Sequence, residues 1–436
     1  MRRLFVLLHR YAGLAMAAFL FISGITGAVI SWDHELDDLL NPHLMEARSA
    51  GQPRPVLELA RLVEERHPQV MVTFMPLNVE AGKSLAFGVS PRVNPATGRL
   101  HEPGFNQVFV DPVSGEELGR REWGAVWPVT RENFVSFLYV LHYSLHLPEM
   151  WGIDRWGVWL LGVIAVIWTI DCFTGFYLTL PPGRRAATQD VSPAGDSKGR
   201  EGPERRSWWR RWKPAWQVRW GGGGYKLNFD LHRAFSLWTW VLLFIVAFTA
   251  FSLNLYREVF FPLMSTVSTV TPSPFDLRAP TGPHEPIVPR LSHADAIATA
   301  RGVAAQRGWT DPAGSVFYTP NWGIYGVEFW APGADHGVGG VGHARIYIDG
   351  NDGRLLGDRQ PWQGTAADIF VQAQFPLHSG RILGIPGRIL ISLMGVVVAM
   401  LSVTGVYIWW KKRRSRLGSG VRHAARAGQR GIKLPA

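Results

Sequence analysis

The sequence predicts an α-helical membrane protein with four transmembrane helices, built as two internal repeats, together with two α+β domains outside the membrane. Three observations lead to this fold class: four long apolar stretches, a set of motifs that occurs twice, and two long polar inserts. The 436 residues are 47% hydrophobic and only 18% charged. This composition lies between those of soluble and membrane proteins, as expected for a chain that contains both kinds of region.

The four apolar stretches are each long enough to cross a bilayer. A hydrocarbon core about 30 Å thick requires roughly 20 apolar residues in a helix. The stretches at 11–32, 156–180, 234–256 and 386–410 meet this requirement. The first lacks an obvious small-residue cleavage site and shares its pattern with an internal segment, so we interpret it as a retained helix rather than a signal peptide.

The motifs around these stretches occur in two copies. Leu8-His9-Arg10 recurs as Leu231-His232-Arg233, and Phe21-Ile22 to Thr26 aligns without a gap onto Phe244-Ile245 to Thr249. A second motif pair precedes the other two apolar stretches, as Tyr143-Ser144-Leu145-His146 and Phe375-Pro376-Leu377-His378. These stretches end in Thr174-Gly175 and Thr404-Gly405. The duplication predicts that histidines of the two halves can pair across a symmetry axis.

The polar inserts, 33–150 and 258–383, resemble each other as well. Each contains a helical pattern, at 56–66 and 294–307, and Ser292 with Asp295 predicts the N-cap of the second helix. Each also contains two strand patterns joined by a turn rich in Asp, Gly and Asn, at 108–120 and 346–358, which is typical of a hairpin. A helix packed on a small antiparallel sheet buries the apolar face of both elements, so we expect an α+β domain in each insert.

Basic residues predict the orientation of the chain. The loop 183–226 is rich in Lys and Arg, and the tail after Trp410 contains basic but no acidic residues. By the positive-inside rule the N-terminus, this loop and the tail are cytoplasmic, and both inserts lie on the other side. The net charge of +11 is therefore interpreted as a topology signal and not as nucleic-acid binding. Tryptophans at 208–220, among arginines, predict an amphipathic segment at the membrane interface.

These features divide the chain into eight predicted segments, which alternate between the membrane and its two sides. They are a first transmembrane helix (1–33), a first outer domain (34–135), a second transmembrane helix with an outer pre-helix (136–182), the basic loop (183–226), a third transmembrane helix (227–257), a second outer domain (258–370), a fourth transmembrane helix with an outer pre-helix (371–411) and the basic tail (412–436).

Histidine is the residue type on which metal chemistry could rest. Cys172 is the single cysteine, so neither a disulfide nor a thiolate cluster can form. Of the 14 histidines, five lie at the edges of apolar stretches, where an ionisable group suggests a functional site. Two matched pairs are what two haems require, because a low-spin haem takes one imidazole on each face. The alternative is that each histidine reaches the lipid headgroups beside a basic neighbour.

We predict His9 and His232 as axial ligands of an inner haem, and His146 and His378 as axial ligands of an outer haem. His142 lies one helical turn before His146 and is either a substitute ligand or a group that bonds the haem propionates. Arg10, Arg233 and Arg381 are candidates for pairing with propionates, and equally for anchoring at the interface. Asp171, an acid within an apolar stretch, is either paired with a nearby base or handles a proton.

These motifs resemble the PepSY-associated transmembrane family, and within it the inner-membrane ferric-siderophore reductases of the ferrioxamine-reductase type. The resemblance rests on the four spans, the turns at Asp111 to Gly115 and Asp349 to Gly353, and the Leu-His-Arg motifs at His9 and His232. It implies PepSY-like outer domains, a bacterial inner-membrane location, two b-type haems in the membrane, and reduction of a periplasmic ferric siderophore. It implies no catalytic nucleophile or general acid, since the cofactor performs the redox step.

The expected electron donor is external to the chain, because the sequence has no dinucleotide fingerprint, phosphate loop or nucleophile elbow. A quinol in the bilayer or a cytoplasmic flavoprotein could supply the electrons. Two other functions stay open on the sequence. One is a transporter that passes a siderophore or a metal between its repeats. The other is a haem-free binding or regulatory module whose outer domains recognise a protein.

Overall fold

The computed structural model describes residues 1–182, 207–282, 284–333 and 337–430. Its α-helices are α1 (Arg2–Ile30), α2 (Asp33–Leu40), α3 (Pro42–Met45), α4 (Val56–Arg66), α5 (Phe134–Ser144), α6 (Trp156–Thr179), α7 (Trp208–Trp212), α8 (Gly224–Trp238), α9 (Trp240–Asn254), α10 (Phe261–Val267), α11 (Pro274–Leu277), α12 (His293–Gln306), α13 (Ala366–Ser379) and α14 (Gly384–Arg430). The strands are β1 (Val70–Pro76), β2 (Leu85–Pro91), β3 (Gln107–Val110), β4 (Glu117–Arg121), β5 (Ala313–Thr319), β6 (Ile324–Phe329), β7 (Ala344–Asp349) and β8 (Leu355–Arg359). A π-turn (Tyr256–Phe260) and short 3-10 turns (Lys213–Trp216, Val338–Gly340, Arg381–Leu383) complete the described elements.

Three helices, α1, α6 and α14, are long and apolar enough to cross a membrane, and the bent pair α8 and α9 makes a fourth candidate if it is one span. α1 begins at Arg2, earlier than predicted, and α14 continues to Arg430, beyond the predicted end of the fourth span. These helices and the long β-sheet described below fit a membrane protein with a β-rich domain.

The third predicted span, 234–256, is not one straight helix. α8 and α9 meet at a bend of 74°. Thr239 lies between them and donates its hydroxyl hydrogen bond to the Phe235 carbonyl at 2.7 Å. α9 alone has 15 residues, which span only about 22 Å at 1.5 Å per residue. α8 and α9 together have the predicted apolar length. Apolarity, however, carries no signal for a change of helix direction.

The contacts within the chain divide it into two compact units. The helical unit comprises the described residues of Met1–Ile25, Ile164–Phe248 and Met394–Ala436, and the sheet unit comprises those of Thr26–Val163 and Thr249–Leu393. The helical unit contains a buried apolar cluster of Cys172, Leu243, Ala247, Met394 and Val398.

The sheet unit contains one antiparallel sheet of eight strands, in the order β4-β3-β2-β1-β5-β6-β7-β8. Each insert supplies four consecutive strands, and β1 pairs with β5 through Phe74 with Phe317, Met75 with Val316 and Pro76 with Ser315. We expected one domain in each insert, but the two inserts share a single sheet. Two distinct outer domains are therefore not confirmed. Pairing β1 with β5 also removes two edge strands that would otherwise present unpaired N–H and C=O groups.

One face of this sheet packs against α4 and α12, in agreement with the predicted helix-on-sheet arrangement. The alternation in the strands sends Val108, Val110, Ile346 and Ile348 into a shared core, together with apolar residues of both helices. α12 starts with the expected capping box, in which the side chains of Ser292 and Asp295 each bond the other's backbone N–H.

The predicted hairpins at 108–120 and 346–358 are present as β3–β4 and β7–β8. The carboxylate of Asp111 accepts hydrogen bonds from the N–H groups of Val113 at 2.9 Å, Ser114 at 3.0 Å and Ser49 at 3.1 Å. Burial opposes the charged form, but these hydrogen bonds outweigh it and lower the pKa of Asp111 to about 2. Gly115 closes the turn at a φ of 75°, which a glycine adopts without strain.

Several predicted regions fall partly outside the described residues. Of the basic loop 183–226, residues 183–206 lie outside them, and the described part begins with α7 and the Lys213–Trp216 turn. In α7 Trp212 is buried and Trp209 is 68% exposed, as the amphipathic interpretation expects. Residues 431–436 of the basic tail also lie outside the described chain.

The Asp111 turn yields a test of stability. Asp111→Ala leaves three backbone donors without their acceptor, so we expect the free energy of unfolding of the sheet unit to fall by about 1–3 kcal/mol. Because the folded-state pKa of Asp111 is depressed, its contribution is present above about pH 4 and is lost as the pH falls towards 2. The difference between wild type and variant should therefore shrink at low pH. Unfolding of the full-length protein in detergent, followed by circular dichroism, measures both effects.

Glu116→Ala is the matched control for this test, because it removes an exposed acid from the same hairpin. It should leave the unfolding midpoint within experimental error of the wild type. Equal midpoints for Asp111→Ala and Glu116→Ala at pH 7 would contradict the structural role of the Asp111 carboxylate.

Candidate functional site

His9 and His232 face each other within the helical unit. His9 lies on α1 and His232 lies on α8, and their ring centroids are 6.2 Å apart with an angle of 59° between the ring planes. The sequence predicted that the two Leu-His-Arg motifs bring their histidines together. The geometry of this inner pair agrees with that expectation.

Hydrogen bonds at Nδ1 fix the orientation of both rings. His9 Nδ1 lies 2.9 and 3.0 Å from the two carboxylate oxygens of Asp171, on α6. His232 Nδ1 lies 3.1 Å from the carbonyl oxygen of Leu401 and 3.0 Å from the hydroxyl of Thr404, on α14. A carbonyl oxygen can only accept, so the Nδ1 of His232 carries the proton and its Nε2 keeps a lone pair for a metal.

The Thr-Gly motif serves the inner pair in both halves. Thr404 contacts His232 directly, whereas Thr174 donates its hydroxyl hydrogen bond to Asp171 at 2.5 Å and so holds the carboxylate that meets His9. The glycine that follows lies against the ring in both halves. A Cβ at Gly175 would lie 3.4 Å from His9 Cε1, in ordinary van der Waals contact, and one at Gly405 would lie 3.3 Å from His232 Cε1, which is slightly tight. The motif therefore combines a hydrogen-bonding group with a small residue beside the imidazole.

A second pair lies within the sheet unit, where His142 on α5 faces His378 on α13. Their ring centroids are 6.0 Å apart and the ring planes are inclined by 56°. His142 Nδ1 lies 3.2 Å from the Thr26 hydroxyl, and His378 Nδ1 lies 3.0 Å from the Thr249 hydroxyl. Thr26 and Thr249 are the positions that the sequence alignment of the two halves had matched.

Gly27 makes room for the first ring of this outer pair. A Cβ on Gly27 would lie 2.8 Å from His142 Cε1, which is closer than real side chains allow. Any larger residue at position 27 would have to displace His142.

The outer pair corrects the predicted partner of His378, which is His142 and not His146. Leu145 and His146 have φ angles of 56° and 53°, so the chain leaves the helical path at the end of α5 and carries His146 away from the helix face of His142. His146 Nε2 instead donates to the Phe137 carbonyl at 2.8 Å, and its ring stacks on Phe137 at 4.7 Å. The alternative role of His142 as a substitute ligand is the one that the geometry favours.

The three arginines predicted near propionates differ in their surroundings. Arg10 follows His9 on α1 and makes no side-chain hydrogen bond or ion pair within the described part of the chain. Arg233 pairs with the fully buried Asp230 at 3.1 Å, while its Nε is buried without a hydrogen-bond partner among the described residues. Arg381 pairs with Asp33 at 3.2 Å.

Arg381 also lines an open pocket of about 390 Å³ in the sheet unit, together with Arg388 and Gly337, Gly339 and Gly340. Arg388 already bonds both carboxylate oxygens of Glu35, at 2.7 and 2.6 Å. Residues 334–336, which precede these glycines, lie outside the described residues.

Sequence reasoning singled out Asp171, which contacts His9, but did not assign the threonines that orient the other rings. The sequence repeats show Thr26, Thr249 and Thr404 at matching positions. A threonine in an apolar helix usually bonds its own backbone, so only the repetition indicated a role for these residues. Asp230, which is fully buried and bonds both Arg219 and Arg233, gave no signal beyond its place before a Leu-His-Arg motif.

The geometry of both pairs fits a haem. Two imidazoles that bind one metal through bonds of about 2 Å have ring centroids roughly 6 Å apart, since each centroid lies a further ring radius beyond its nitrogen. The observed separations are 6.2 and 6.0 Å. The described residues contain no group of three or more His, Cys, Asp or Glu that could hold a bare metal ion. A haem requires only two protein ligands, because the porphyrin supplies four nitrogens.

Comparison with known proteins agrees with the expected membrane family. The family described as PepSY-associated TM region matches residues 6–412, which is nearly the whole chain. A search of curated proteins found no significant match.

Proposed function

The chain belongs to the PepSY-associated transmembrane family, and from that premise we propose that it is a haem b oxidoreductase that passes electrons across the bacterial inner membrane to a periplasmic ferric siderophore. The observation that carries this proposal is the pair of facing imidazoles in each unit, with ring centroids 6.2 and 6.0 Å apart. Four histidines in two such pairs match the axial ligands of two haems.

His9 and His232 would hold the inner haem, and His142 and His378 the outer one. Each bound haem would supply a one-electron couple between ferric and ferrous iron. The chain's own contribution is to orient the rings through their Nδ1 hydrogen bonds, as is usual for metal-bound histidine. Arg10 and Arg233 would bind carboxylates of the inner haem, and Arg381, three residues after His378 in sequence, those of the outer one.

The direction of transfer is proposed from the charge pattern. The helical unit contains a basic excess near both termini, which includes Arg2, Arg3, Lys411 and Lys412. By the positive-inside rule this excess favours cytoplasmic termini. Lys411 and Arg414 lie over the ring of Trp410, at 5.4 and 5.6 Å, in the combination typical of a membrane interface. The inserts that form the sheet would then lie in the periplasm.

The proposed reaction balances with an external donor. One quinol gives two electrons and two protons, and reduces two ferric chelates to their ferrous forms; a cytoplasmic flavoprotein is the other candidate donor. Reduction weakens the hold of hard oxygen ligands on iron, so it is a means of releasing iron from the siderophore. The resemblance to ferric-siderophore reductases supports this part of the proposal.

One part of the helical unit argues against the transporter hypothesis. A buried apolar cluster lies there, formed by Cys172, Leu243, Ala247, Met394 and Val398, and a polar siderophore or a metal ion would not pass through it. The buried Asp171 and Thr404 of the same unit bond the paired histidines. The haem-free regulatory hypothesis is distinguished by the first experiment below.

The proposal predicts a red protein with two bis-histidine b haems per chain. In detergent, the purified protein should show a Soret band that shifts and sharpens with dithionite, and pyridine haemochrome analysis should give two haems. Addition of a ferric siderophore should reoxidise the reduced protein. A colourless preparation from haem-replete cells would reject the enzyme hypothesis and favour the regulatory one.

Histidine variants test the ligand assignment. His232→Ala should reduce the haem content from two to one, and so should His142→Ala, because each removes an axial ligand. His146→Ala is the matched control: it removes a neighbouring imidazole that bonds the Phe137 carbonyl, and both haems should remain. Loss of a haem in His146→Ala, with both retained in His142→Ala, would reverse the assignment of the outer ligand.

A further inference from the structure

We propose that Asp171 is a positioning residue that stabilises the ferric state of the inner haem through His9. This inference rests on the proposed function. It concerns the ring of His9, whose Nδ1 contacts a carboxylate. The Nδ1 of the facing His232 instead contacts a carbonyl oxygen and a hydroxyl.

The position of Asp171 shows that the acid is not required by the helix packing. The Thr174 and Thr404 motifs align the two halves, and three residues before each lie Asp171 and Leu401. The second half therefore satisfies the same histidine with the backbone carbonyl of Leu401 and the Thr404 hydroxyl. The first half instead buries an acid, which is costly within an apolar span and points to a function.

The contacts of Asp171 suit a strong and fixed acceptor. Its side chain is only 8% exposed, and both of its oxygens lie within 3.0 Å of His9 Nδ1. Thr174 donates to Oδ1 at 2.5 Å, so the carboxylate is held from a second side. A charge-assisted hydrogen bond of this kind is about twice as strong as a neutral one, and because it engages Nδ1 it leaves Nε2 as the nitrogen for a metal.

The chemical consequence follows from charge. Donation of the Nδ1 proton towards a carboxylate makes an imidazole a stronger electron donor through Nε2. Oxidation of the haem iron adds one positive charge, and a carboxylate in a medium of low dielectric constant stabilises that charge. Asp171 should therefore lower the reduction potential of the inner haem and favour passing its electron on.

The test uses an inner haem in isolation. His378→Ala, which removes an outer ligand, serves as the background, and Asp171→Asn is added to it. Asparagine keeps the shape and an acceptor oxygen while removing the charge. We expect the equilibrium between ferric and ferrous inner haem to shift about tenfold towards ferrous, a rise in midpoint potential of about 59 mV for one electron. Spectroelectrochemical titration measures the shift, and the low-spin electron paramagnetic resonance signal of the ferric haem should change with it.

Thr404→Val in the same background is the matched control, since it removes the hydroxyl at His232 but leaves the Leu401 carbonyl as acceptor. Its shift should be clearly smaller than that of Asp171→Asn. An unchanged midpoint in Asp171→Asn, with haem retained, would overturn this inference and leave the proposed function intact. Loss of the inner haem in Asp171→Asn but not in Thr404→Val would also overturn it, because the acid would then serve haem retention. A wild-type protein without haem would instead reject the proposed function itself.

Discussion

The hydrogen bond at Nδ1 of each paired histidine is the interaction on which both candidate sites depend. An imidazole on a helix can rotate about two side-chain torsions, and without a partner at Nδ1 neither its orientation nor its tautomer is fixed. In the inner pair, His9 contacts a carboxylate, and His232 contacts a carbonyl oxygen and a hydroxyl. In the outer pair, each ring contacts one hydroxyl. Within each unit the ring that is fixed on one helix lies opposite the ring that is fixed on another.

This constraint explains why the recognisable motifs are so short. In Thr404-Gly405 the threonine bonds His232 and the glycine lies beside that ring. In Thr174-Gly175 the threonine bonds Asp171, which in turn bonds His9. Each motif residue thus has a specific physical task, and the remaining span residues need only be apolar and of suitable size.

Much of the architecture could be predicted because it follows from local patterns. Apolar length identified the candidate spans, alternation with an Asp-Gly turn identified the two hairpins, and Ser292 with Asp295 identified the start of α12. The inner pair could also be predicted, because His9 and His232 lie in identical Leu-His-Arg motifs at matching positions. These are cases in which a few neighbouring residues determine the outcome.

The failures of prediction involve long-range geometry. β1 pairs with β5 through backbone hydrogen bonds that any two compatible edge strands could form. No residue pattern therefore predicts this pairing. The bend between α8 and α9 lies in continuous apolar sequence. His146 was matched to His378 because the alignment of Tyr143-Ser144-Leu145-His146 followed residue letters, whereas the left-handed backbone at Leu145 ends α5 before His146.

The hydrogen-bond partners of the outer pair were nevertheless contained in the repeat. Thr26 and Thr249 align without a gap. Thr26 bonds His142 and Thr249 bonds His378, and these two histidines face each other. Repetition of these threonines does not by itself distinguish His142 from His146, so the left-handed backbone at Leu145 decides which histidine pairs. At the inner pair, an imidazole in apolar surroundings needs a fixed acceptor, and Asp171 is the acid that the sequence places in the apolar stretch of α6. A site of this kind is therefore better read from the partners of its ligands than from the ligands alone.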